Sequence, residues 1–261
     1  MGHSLFVVAK SLVTIGGTSA SLGDELDEVA RLDLAAAAGT WLAQAPLDQA
    51  RDHHVGLVHQ DRDYVLGGST YEAPLVDAWM ADLAPDVPGT IDSWQPLGAL
   101  PSARHRHCGV VANGEMFLLG GTRDVSGPDG PQQIILDEII AAPLTQAGLG
   151  AWTPRGVLPA PLHSMACFQS GGNVYVAGGV LEGYGTLVSA KVWVASVDGQ
   201  GQVGAWTSLP DLPTKLFGAA IATDDAQVYL VGGVADTGKA VDTILTAKIV
   251  SGGVTSWSST T

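Results

Sequence analysis

Two arginine–histidine pairs recur in this chain and are its clearest candidates for chemistry. Arg51 and His54 form one Arg-x-x-His segment, and Arg104 and His107 form another further along the sequence. Guanidinium and imidazole groups can hydrogen-bond to a bound ligand, so the four side chains could line a small-molecule pocket. We therefore take these four residues as candidate ligand-binding groups.

Histidine is also a common metal ligand, and several histidines lie close to these pairs. Because neighbouring residues of a strand point to opposite faces, His53 and His54 cannot both serve one site. The sequence contains none of the HExxH, CxxC or two-His-one-carboxylate spacings of known metal centres. We expect no metal and no cofactor, and we interpret the histidines as groups that hydrogen-bond neighbouring backbone or carboxylates.

Nucleophilic catalysis has no support in the sequence. The chain lacks a Gly-x-Ser-x-Gly segment, and its serines are scattered through loop-like regions. We assign no catalytic residue and expect a protein that is not an enzyme.

Two tyrosines in loop-like segments are candidates of a second kind. Tyr71 and Tyr184 each follow a Gly-Gly pair, which predicts that their rings are exposed. An aromatic ring on a rigid rim can anchor a protein partner or stack on a sugar. We add both to the candidate ligand-binding residues, with a protein or a carbohydrate as the expected partner.

The elements that carry these residues come from a repeat. Four times along the chain a tryptophan precedes a Gly-Gly pair by the same 26 positions, and each pair follows a short apolar run. A further glycine pair at Gly16 and a further tryptophan, Trp257, bracket the series. A period of about 50 residues with this punctuation is typical of radial repeat folds. The four matched sets are Trp41 with Gly67, Trp94 with Gly120, Trp152 with Gly178, and Trp206 with Gly232.

The first half of each repeat predicts a hairpin. After Trp94, residues 107–113 form an alternating apolar run, and Asn113-Gly114 is the strongest two-residue hairpin signal. Residues 115–121 form a second, apolar strand that ends in two glycines. Because glycine has no Cβ, another group can approach it closely, and we infer that each tryptophan ring packs over or beside a glycine pair.

The second half of the repeat varies more in length. A polar loop is predicted over residues 122–131 and a third strand over 132–144, and a fourth strand carries the tryptophan. In the first repeat the third-strand position falls on residues 24–38, where alternation indicates a strand and a run of alanines leaves a helix open. Length variation concentrates after the glycine pair, where a binding face would be elaborated.

The glycine pairs, the tryptophans, the Leu-Pro steps such as Leu100-Pro101 and the Arg-x-x-His segments together resemble the kelch motif over essentially the whole chain. The resemblance implies an all-β fold, a five-bladed kelch-type β-propeller with four antiparallel strands per blade and blades contiguous in sequence. In that family the first strand of each blade lies innermost. The later repeats carry Met165 and Ala219 in place of the motif histidine, which argues against a ring of ligand-binding histidines.

We expect a single β-propeller domain over residues 1–261, because no linker or charge block interrupts the repeats. Two alternatives stay open for its ends. Five blades may close as a ring, which we favour because an open fan would expose sheet faces. Otherwise the chain is excised from a longer propeller, and either another chain, as in a homodimer, or the missing blades must complete it. The approximate blades are 1–45, 46–98, 99–156, 157–210 and 211–261.

Composition limits the class of partner. The formal net charge is −14 with a pI of about 4.6, so the chain lacks the cationic surface that nucleic acids require. No apolar stretch approaches the ~20 residues of a membrane span, and the N-terminus lacks the features of a signal peptide. These features predict a soluble protein whose compartment the sequence leaves open. We expect Cys108 and Cys167 to be buried and unpaired, with a disulfide as the alternative.

These observations favour a non-catalytic propeller that serves as a protein- or glycan-interaction module or as a structural module. One alternative is a small-molecule-binding or enzymatic propeller that uses the mouth of its channel. Convergence of Arg51, His54, Arg104 and His107 on one open pocket would favour that alternative. Another is a truncated or engineered repeat fragment without a native ligand.

Overall fold

Every regular element that the structure describes is a β-strand. The computed structural model describes residues 2–19, 21, 23–36, 39–84, 86–127, 130–182, 187–224 and 226–260. The predicted fold class is confirmed: the chain is an all-β, five-bladed β-propeller with mainly four antiparallel strands per blade. Two compact units divide the chain, and we call them unit 1 (Met1–Arg106 and Arg123–Ile134) and unit 2 (His107–Thr122 and Ile135–Thr261). The single-domain boundaries stay a prediction.

Unit 1 contains two blades, each a sheet of four antiparallel strands in chain order. Blade 1 consists of β1 (Ser4–Val8), β2 (Ser11–Ile15), β3 (Val29–Asp33) and β4 (Trp41–Ala43). Blade 2 consists of β5 (Val55–His59), β6 (Arg62–Leu66), β7 (Asp77–Asp82) and β8 (Gln95–Ala99). The strand interpretation of the third-strand position in the first repeat is therefore right, since β3 pairs with both β2 and β4.

Unit 2 contains the other three blades. Blade 3 consists of β9 (Cys108–Ala112), β10 (Glu115–Leu119), β13 (Glu138–Thr145), β14 (Gly148–Leu149) and β15 (Thr153–Val157). Blade 4 consists of β16 (Ala166–Ser170), β17 (Asn173–Ala177), β20 (Val192–Ser196) and β21 (Thr207–Leu209). Blade 5 consists of β23 (Ala220–Thr223), β24 (Gln227–Val231), β26 (Ile244–Val250), β27 (Gly253–Val254) and β28 (Ser258–Thr260).

Three short two-stranded sheets lie outside the blades. They are β11 (Thr122–Gly127) with β12 (Gly130–Ile135), β18 (Val180–Glu182) with β19 (Leu187–Val188), and β22 (Leu216–Phe217) with β25 (Val234–Ala235). Each of these sheets follows or flanks a glycine pair. The three sheets therefore lie in the part of the repeat that varies in length.

The apolar core lies between the faces of consecutive blades. In unit 1, Val13 of blade 1 and Val65 of blade 2 are fully buried in one cluster. In unit 2, Phe117 of blade 3 and Val174 of blade 4 are fully buried in another. Burying a large apolar side chain contributes about 1.5–3 kcal/mol, so these stacked faces supply most of the stabilisation of each unit.

The glycine pairs are required because backbone approaches them closely. A Cβ on Gly16 would lie 2.7 Å from the carbonyl oxygen of Arg51, and a Cβ on Gly178 would collide with the carbonyl oxygen of Leu216. The second glycine of the first pair, Gly17, adopts a φ of 104° and donates its N–H to the Arg51 carbonyl at 2.9 Å. The first four pairs therefore admit the backbone of the segment that leads into the next blade.

The indole rings of Trp94 and Trp206 bind the preceding blade. This differs from the expected packing of each tryptophan ring on a glycine pair. The indole N–H of Trp94 donates to the carbonyl oxygen of Ala45 at 3.0 Å, and that of Trp206 donates to Val157 at 2.8 Å. Each acceptor follows the tryptophan of the preceding blade by four or five positions. These indole hydrogen bonds therefore join consecutive blades within each unit.

The predicted loop over residues 122–131 and the predicted third strand over 132–144 are wrong in their boundaries. Most of the loop forms the hairpin of β11 and β12, and the third strand of blade 3 begins only at Glu138. The apolar residues that end β12 resemble those of β13, so the sequence shows no break between them. The break is made by Leu136, whose N–H donates to the carbonyl of Gly121 at 2.9 Å and closes the hairpin.

Cys108 and Cys167 form a disulfide, which corrects the expectation that they are unpaired. Their Cα atoms are 6.1 Å apart, within the range that a disulfide needs. The two residues lie on the first strands of blades 3 and 4. The equivalent positions in unit 1 are Ser4 and Gly56, where a Cβ on the glycine would lie 2.5 Å from the Ser4 Cβ. First strands of consecutive blades therefore approach closely enough for the bond.

Candidate functional site

Arg51 is buried and is bound within its own blade. Its guanidinium donates two hydrogen bonds of 2.8 Å to the Asp77 carboxylate and one of 3.0 Å to the Gly67 carbonyl. The indole N–H of Trp79 also donates to Asp77, at 2.6 Å. Burial alone would raise the pKa of Asp77, but the hydrogen bonds from Arg51 and Trp79 lower it below its ordinary value. Arg51 thus connects the segment before β5 to the start of β7.

Arg104 occupies the equivalent position in the next repeat and is also fully buried. One of its terminal nitrogens donates to Ser102 Oγ at 3.3 Å. In blade 4 the arginine is replaced by Leu162, which is fully buried, and the position of Asp77 is taken by Lys191. An apolar residue can therefore fill the same position where the carboxylate partner is missing, which indicates a structural position.

The imidazole of His54 is buried against the glycine pairs of two blades. Its Cε1 lies 3.1 Å from a Cβ built on Gly16, and its Cβ lies 2.8 Å from one built on Gly68. Neither ring nitrogen has a hydrogen-bond partner among the residues that the structure describes. Burial, and secondarily the charge of Arg51, lowers the pKa of His54 to about 3. The ring is therefore neutral near pH 7.

His107 is buried to the same extent, with 7 % of its surface exposed. The arginine and histidine candidates thus lie inside the fold, and their side chains do not line an open surface. Met165, at the same position in blade 4, is also 7 % exposed. The position accepts an apolar side chain, so its main contribution is packing.

Tyr71 is the candidate that solvent reaches, since 92 % of its surface is exposed. It lies in the turn that follows the second glycine pair. Thr70 fixes this turn, because its Oγ1 accepts hydrogen bonds of 3.2 Å from the N–H groups of Glu72 and Ala73. Tyr184 lies outside the described residues.

A polar network that sequence reasoning missed lies next to this turn. The Asp52 carboxylate accepts hydrogen bonds from Ser69 Oγ at 2.6 Å and from Thr18 Oγ1 at 3.0 Å, and His53 Nδ1 lies 2.8 Å away. Burial alone would raise the pKa of Asp52, but the hydrogen bonds from His53, Ser69 and Thr18 lower it to about 2. Asp52 is therefore ionised and holds three loop segments together.

The network continues from Ser69 to His105. His105 Nδ1 lies 3.2 Å from Ser69 Oγ, and its Nε2 lies 3.2 Å from the Gln133 side-chain nitrogen in β12. The serine stands between the acid and the histidine, whereas in a catalytic triad the histidine stands between the acid and the serine. The arrangement therefore positions side chains and does not activate Ser69 as a nucleophile.

The residues before the first strands adopt a left-handed backbone. His53 has a φ of 49° and Arg106 a φ of 56°, a region that side chains with a Cβ rarely enter. The N–H of His53 donates to the Gly2 carbonyl at 2.8 Å, and the N–H of Arg106 donates to the His53 carbonyl at 2.9 Å. This chain of hydrogen bonds fixes the backbone under the polar network.

A signal for this network existed in the sequence. Asp52 and His105 occupy the same position within the two Arg-x-x-His segments, immediately after the arginine. The candidate residues were only the outer residues of each segment. The inner positions carry polar side chains that face the loop after the glycine pair, because Asp52 and Ser69 exchange backbone hydrogen bonds of 2.9 Å.

We call the end of unit 1 that carries Tyr71 and the Asp52 network the loop end. Its loops are acidic on the outside, with exposed carboxylates at Asp24, Glu72 and Asp124. Together with the net charge of −14, these carboxylates give the loop end a negative potential. An exposed tyrosine among acidic loops can contact a partner that carries apolar and basic groups.

No three His, Cys, Asp or Glu side chains in the described part of the chain lie together as a metal ion would require. The described ranges also contain no helix of the length and apolarity that crossing a membrane takes.

This chain is similar in sequence to several kelch-repeat proteins. Beta-scruin of Limulus polyphemus is 26 % identical over 190 residues, which are 71 % of this chain and 19 % of that protein. Human Kelch-like protein 15 is 23 % identical over 224 residues, which are 79 % of this chain and 34 % of that protein. The Kelch repeat and BTB domain-containing protein 12 of Danio rerio is 30 % identical over 86 residues, 32 % of this chain and 14 % of that protein. No protein-family model matches the chain. The chain spans about a third or less of the length of these relatives.

Proposed function

We propose that the chain is a kelch-type β-propeller that serves as a protein-interaction module, with the loop end of unit 1 as its binding surface. Kelch-repeat relatives typically serve as protein-interaction modules, and the propeller fold fits this role. The observation that carries the proposal is the exposure of Tyr71, 92 % of whose surface reaches solvent on a turn held by hydrogen bonds.

A fixed, exposed tyrosine is suited to binding because little conformational freedom is lost when a partner covers it. Tyr71 has two side-chain torsions, and its turn is already held by Thr70 and by the Asp52–Ser69 hydrogen bond of 2.6 Å. Tyrosine is among the residues that dominate the binding energy of protein interfaces. Pre-organisation of this kind increases affinity by lowering the entropy lost on binding.

The charge of the loop end indicates the chemistry of the partner. Asp24, Glu72 and Asp124 of these loops are exposed, whereas Arg51 and Arg104 are buried and Arg106 and Arg123 are half-buried. We therefore expect the partner to present lysine or arginine side chains beside an apolar group. Such complementarity accelerates association and makes it sensitive to salt.

Affinity capture with the purified protein tests the proposal. The bait is the wild-type chain, and the extract comes from the source organism, with cross-linking to retain weak partners. We expect proteins that bind the wild type to be retained at least tenfold less by Tyr71→Ala, since a central aromatic anchor contributes about 1.4 kcal/mol or more. Retention should also fall as the salt concentration rises.

The matched control is Val87→Ala, which removes an exposed apolar residue from the turn between β7 and β8, at the opposite end of blade 2. This variant should retain partners as the wild type does. Retention that survives both Tyr71→Ala and the charge reversal Glu72→Lys would overturn the proposed surface. Binding of glycans in place of proteins would overturn the proposed partner class.

A further inference from the structure

The two cysteines of the chain are bonded to each other, which limits where the protein can work. Cys108 and Cys167 form the disulfide of unit 2, and the sequence contains no third cysteine. We propose that the protein folds and acts in an oxidising compartment, outside the reducing cytosol. On the further premise of the proposed function, the partner of the loop end is then a secreted protein or the outward-facing part of a cell-surface protein.

The bond joins two strands whose positions are fixed by their own sheets. Cys108 begins β9, where it stands opposite Leu119 of β10, and Cys167 is the second residue of β16, opposite Val176 of β17. Their Cα atoms are 6.1 Å apart, close to the most common separation in disulfides. The backbone of the folded chain therefore holds the two sulfur atoms within bonding range.

The surroundings of the bond are those of a permanent cross-link. Cys167 is 4 % exposed and belongs to a buried apolar cluster with Phe117 and Val174. Its sulfur atom lies 3.6 Å from the carbonyl oxygen of Gly109. Apolar neighbours and a carbonyl oxygen both disfavour a thiolate. An external thiol that attacks Cys108 must expel Cys167 as a thiolate, so exchange in the folded unit is opposed.

The pair also lacks the features of a redox-active disulfide. Redox enzymes and sensors use CxxC pairs, or exposed thiolates beside cationic groups or helix N-termini. Here 59 positions separate the two cysteines, neither is exposed, and the described ranges contain no helix. Disulfides of cytosolic proteins are usually transient and catalytic or sensing, whereas stable structural ones belong to secreted, periplasmic and cell-surface proteins. The buried bond of unit 2 is of the second kind.

Other contacts between blades show what the bond adds. The same two positions are occupied by Ser4 and Gly56 in unit 1, and by Ala166 and Ile221 between blades 4 and 5. The contact between first strands therefore forms without a cross-link, and the disulfide adds stability to it. Closing a loop of 59 residues raises the folding equilibrium constant by about 1,000-fold in the chain-entropy model. This gain exists only where the bond persists, which is in an oxidising compartment.

Thiol trapping in cells of the source organism tests the compartment. The cells are treated with N-ethylmaleimide, separated into cytosolic, envelope and external fractions, and denatured while this reagent is present, so that every free thiol is blocked. The protein is then reduced and labelled with a second maleimide of different mass. We expect the protein outside the cytosolic fraction, with the second label on both Cys108 and Cys167.

Two variants control the labelling. Cys108→Ala leaves Cys167 without a partner, so this cysteine should carry the first label. Cys108→Ala/Cys167→Ala should carry neither label and sets the background. Wild-type protein in the cytosolic fraction overturns the proposal, whichever label it carries. Wild-type protein outside that fraction with the first label on both cysteines overturns it as well.

Cross-linking in the same cells, with a reagent that crosses membranes, tests the class of partner. Proteins that are linked to the wild type and lost with Tyr71→Ala should lie outside the cytosol. Linked partners from the cytosol overturn the assignment of the partner. If Tyr71→Ala loses no linked protein, the loop end fails as the binding surface, and the labelling of the cysteines still decides the compartment. Failure of the proposed function and failure of this inference are therefore distinguishable.

Discussion

The Asp77 carboxylate receives both terminal nitrogens of the Arg51 guanidinium, each at 2.8 Å, and the arginine side chain is fully buried. This pair joins the segment that leads into a blade to the third strand of the same blade. Blade 4 does without it, since Leu162 and Lys191 occupy the two positions. The buried position can therefore hold either an arginine with a carboxylate partner or a leucine without one. Replacing only Arg51 or only Asp77 leaves the other residue without its ion-pair partner.

Replacing Arg51 with leucine should lower the free energy of unfolding by about 2–3 kcal/mol, because the partly buried Asp77 loses its counter-ion. The double variant Arg51→Leu/Asp77→Thr should recover most of this loss, since it copies Leu216 and Thr243 of blade 5. Urea unfolding of the wild type, both single variants and the double variant measures the coupling. Equal stability of Arg51→Leu and the wild type would contradict the structural role.

Acidification should destabilise the protein through His54. The pKa of this residue is about 3 in the folded chain and near 6.5 when unfolded, because burial and the Arg51 charge disfavour the imidazolium. Between these values the unfolded chain binds a proton that the folded chain does not. The contribution of neutral His54 to the free energy of unfolding is therefore complete above pH 6.5. It is lost as the pH falls towards 3, and the free energy of unfolding then changes by up to about 1.4 kcal/mol per pH unit.

The variant His54→Met isolates this effect, since Met165 shows that methionine fits the position. The difference in urea unfolding free energy between variant and wild type should shift in favour of the variant between about pH 7 and about pH 4.5. Asp52 does not interfere, because its pKa of about 2 places its titration lower. A difference that is constant with pH would show that His54 is not held neutral.

The repeat could be predicted from sequence because its spacing follows from contacts that recur in each blade. The glycine pair is needed wherever the segment before the next first strand crosses it, as at Gly16 and the Arg51 carbonyl, and this need leaves a visible trace. The boundary between β12 and β13 leaves none. It depends on one backbone hydrogen bond from Leu136 to Gly121, and residues on both sides of it have the same apolar character.

The candidate site was predicted only in part, for a similar reason. Arg51 and His54 carry polar groups, but their burial depends on Asp77 and on the glycine pairs, which are distant in sequence. Tyr71 was recognised because it follows a Gly-Gly pair in the chain, which is local information. The link from Asp52 through Ser69 to His105 spans three loops, so the sequence indicates its polar residues but not the contacts between them.

Replacing Asp63 with valine should stabilise the protein. Asp63 is fully buried on β6, where other blades carry Met116, Val174 and Val228, and neither carboxylate oxygen has a hydrogen bond of ordinary geometry among the described residues. Burial raises its pKa well above the ordinary value, although the Tyr64 backbone favours the ionised form. An unsatisfied buried polar group costs about 1–3 kcal/mol, and Asp63→Val should recover an amount of this order at pH 7.

Asp63 changes the free energy of unfolding with pH in the direction opposite to that of His54. The folded chain holds a proton on Asp63 that the unfolded chain releases above its pKa of 3.8, so the free energy of unfolding falls as the pH rises from there through the folded-state pKa. The gain from Asp63→Val should therefore be larger at pH 7 than near pH 4 in urea unfolding. Asp61→Ala, which removes an exposed carboxylate in the adjacent turn, is the control and should show no such gain. A destabilised Asp63→Val protein would mean that the carboxyl has a partner.

Reduction of the Cys108–Cys167 disulfide should destabilise unit 2. The bond closes a loop of 59 residues between the first strands of blades 3 and 4, and a loop of that length restricts the unfolded chain by about 4 kcal/mol in the chain-entropy model. Thermal unfolding with and without a reductant, and of the double variant Cys108→Ala/Cys167→Ala, measures the loss. The reductant should leave the double variant unchanged, because the described residues contain no free cysteine. Two reactive thiols in the unfolded, unreduced wild type would show instead that the bond does not form.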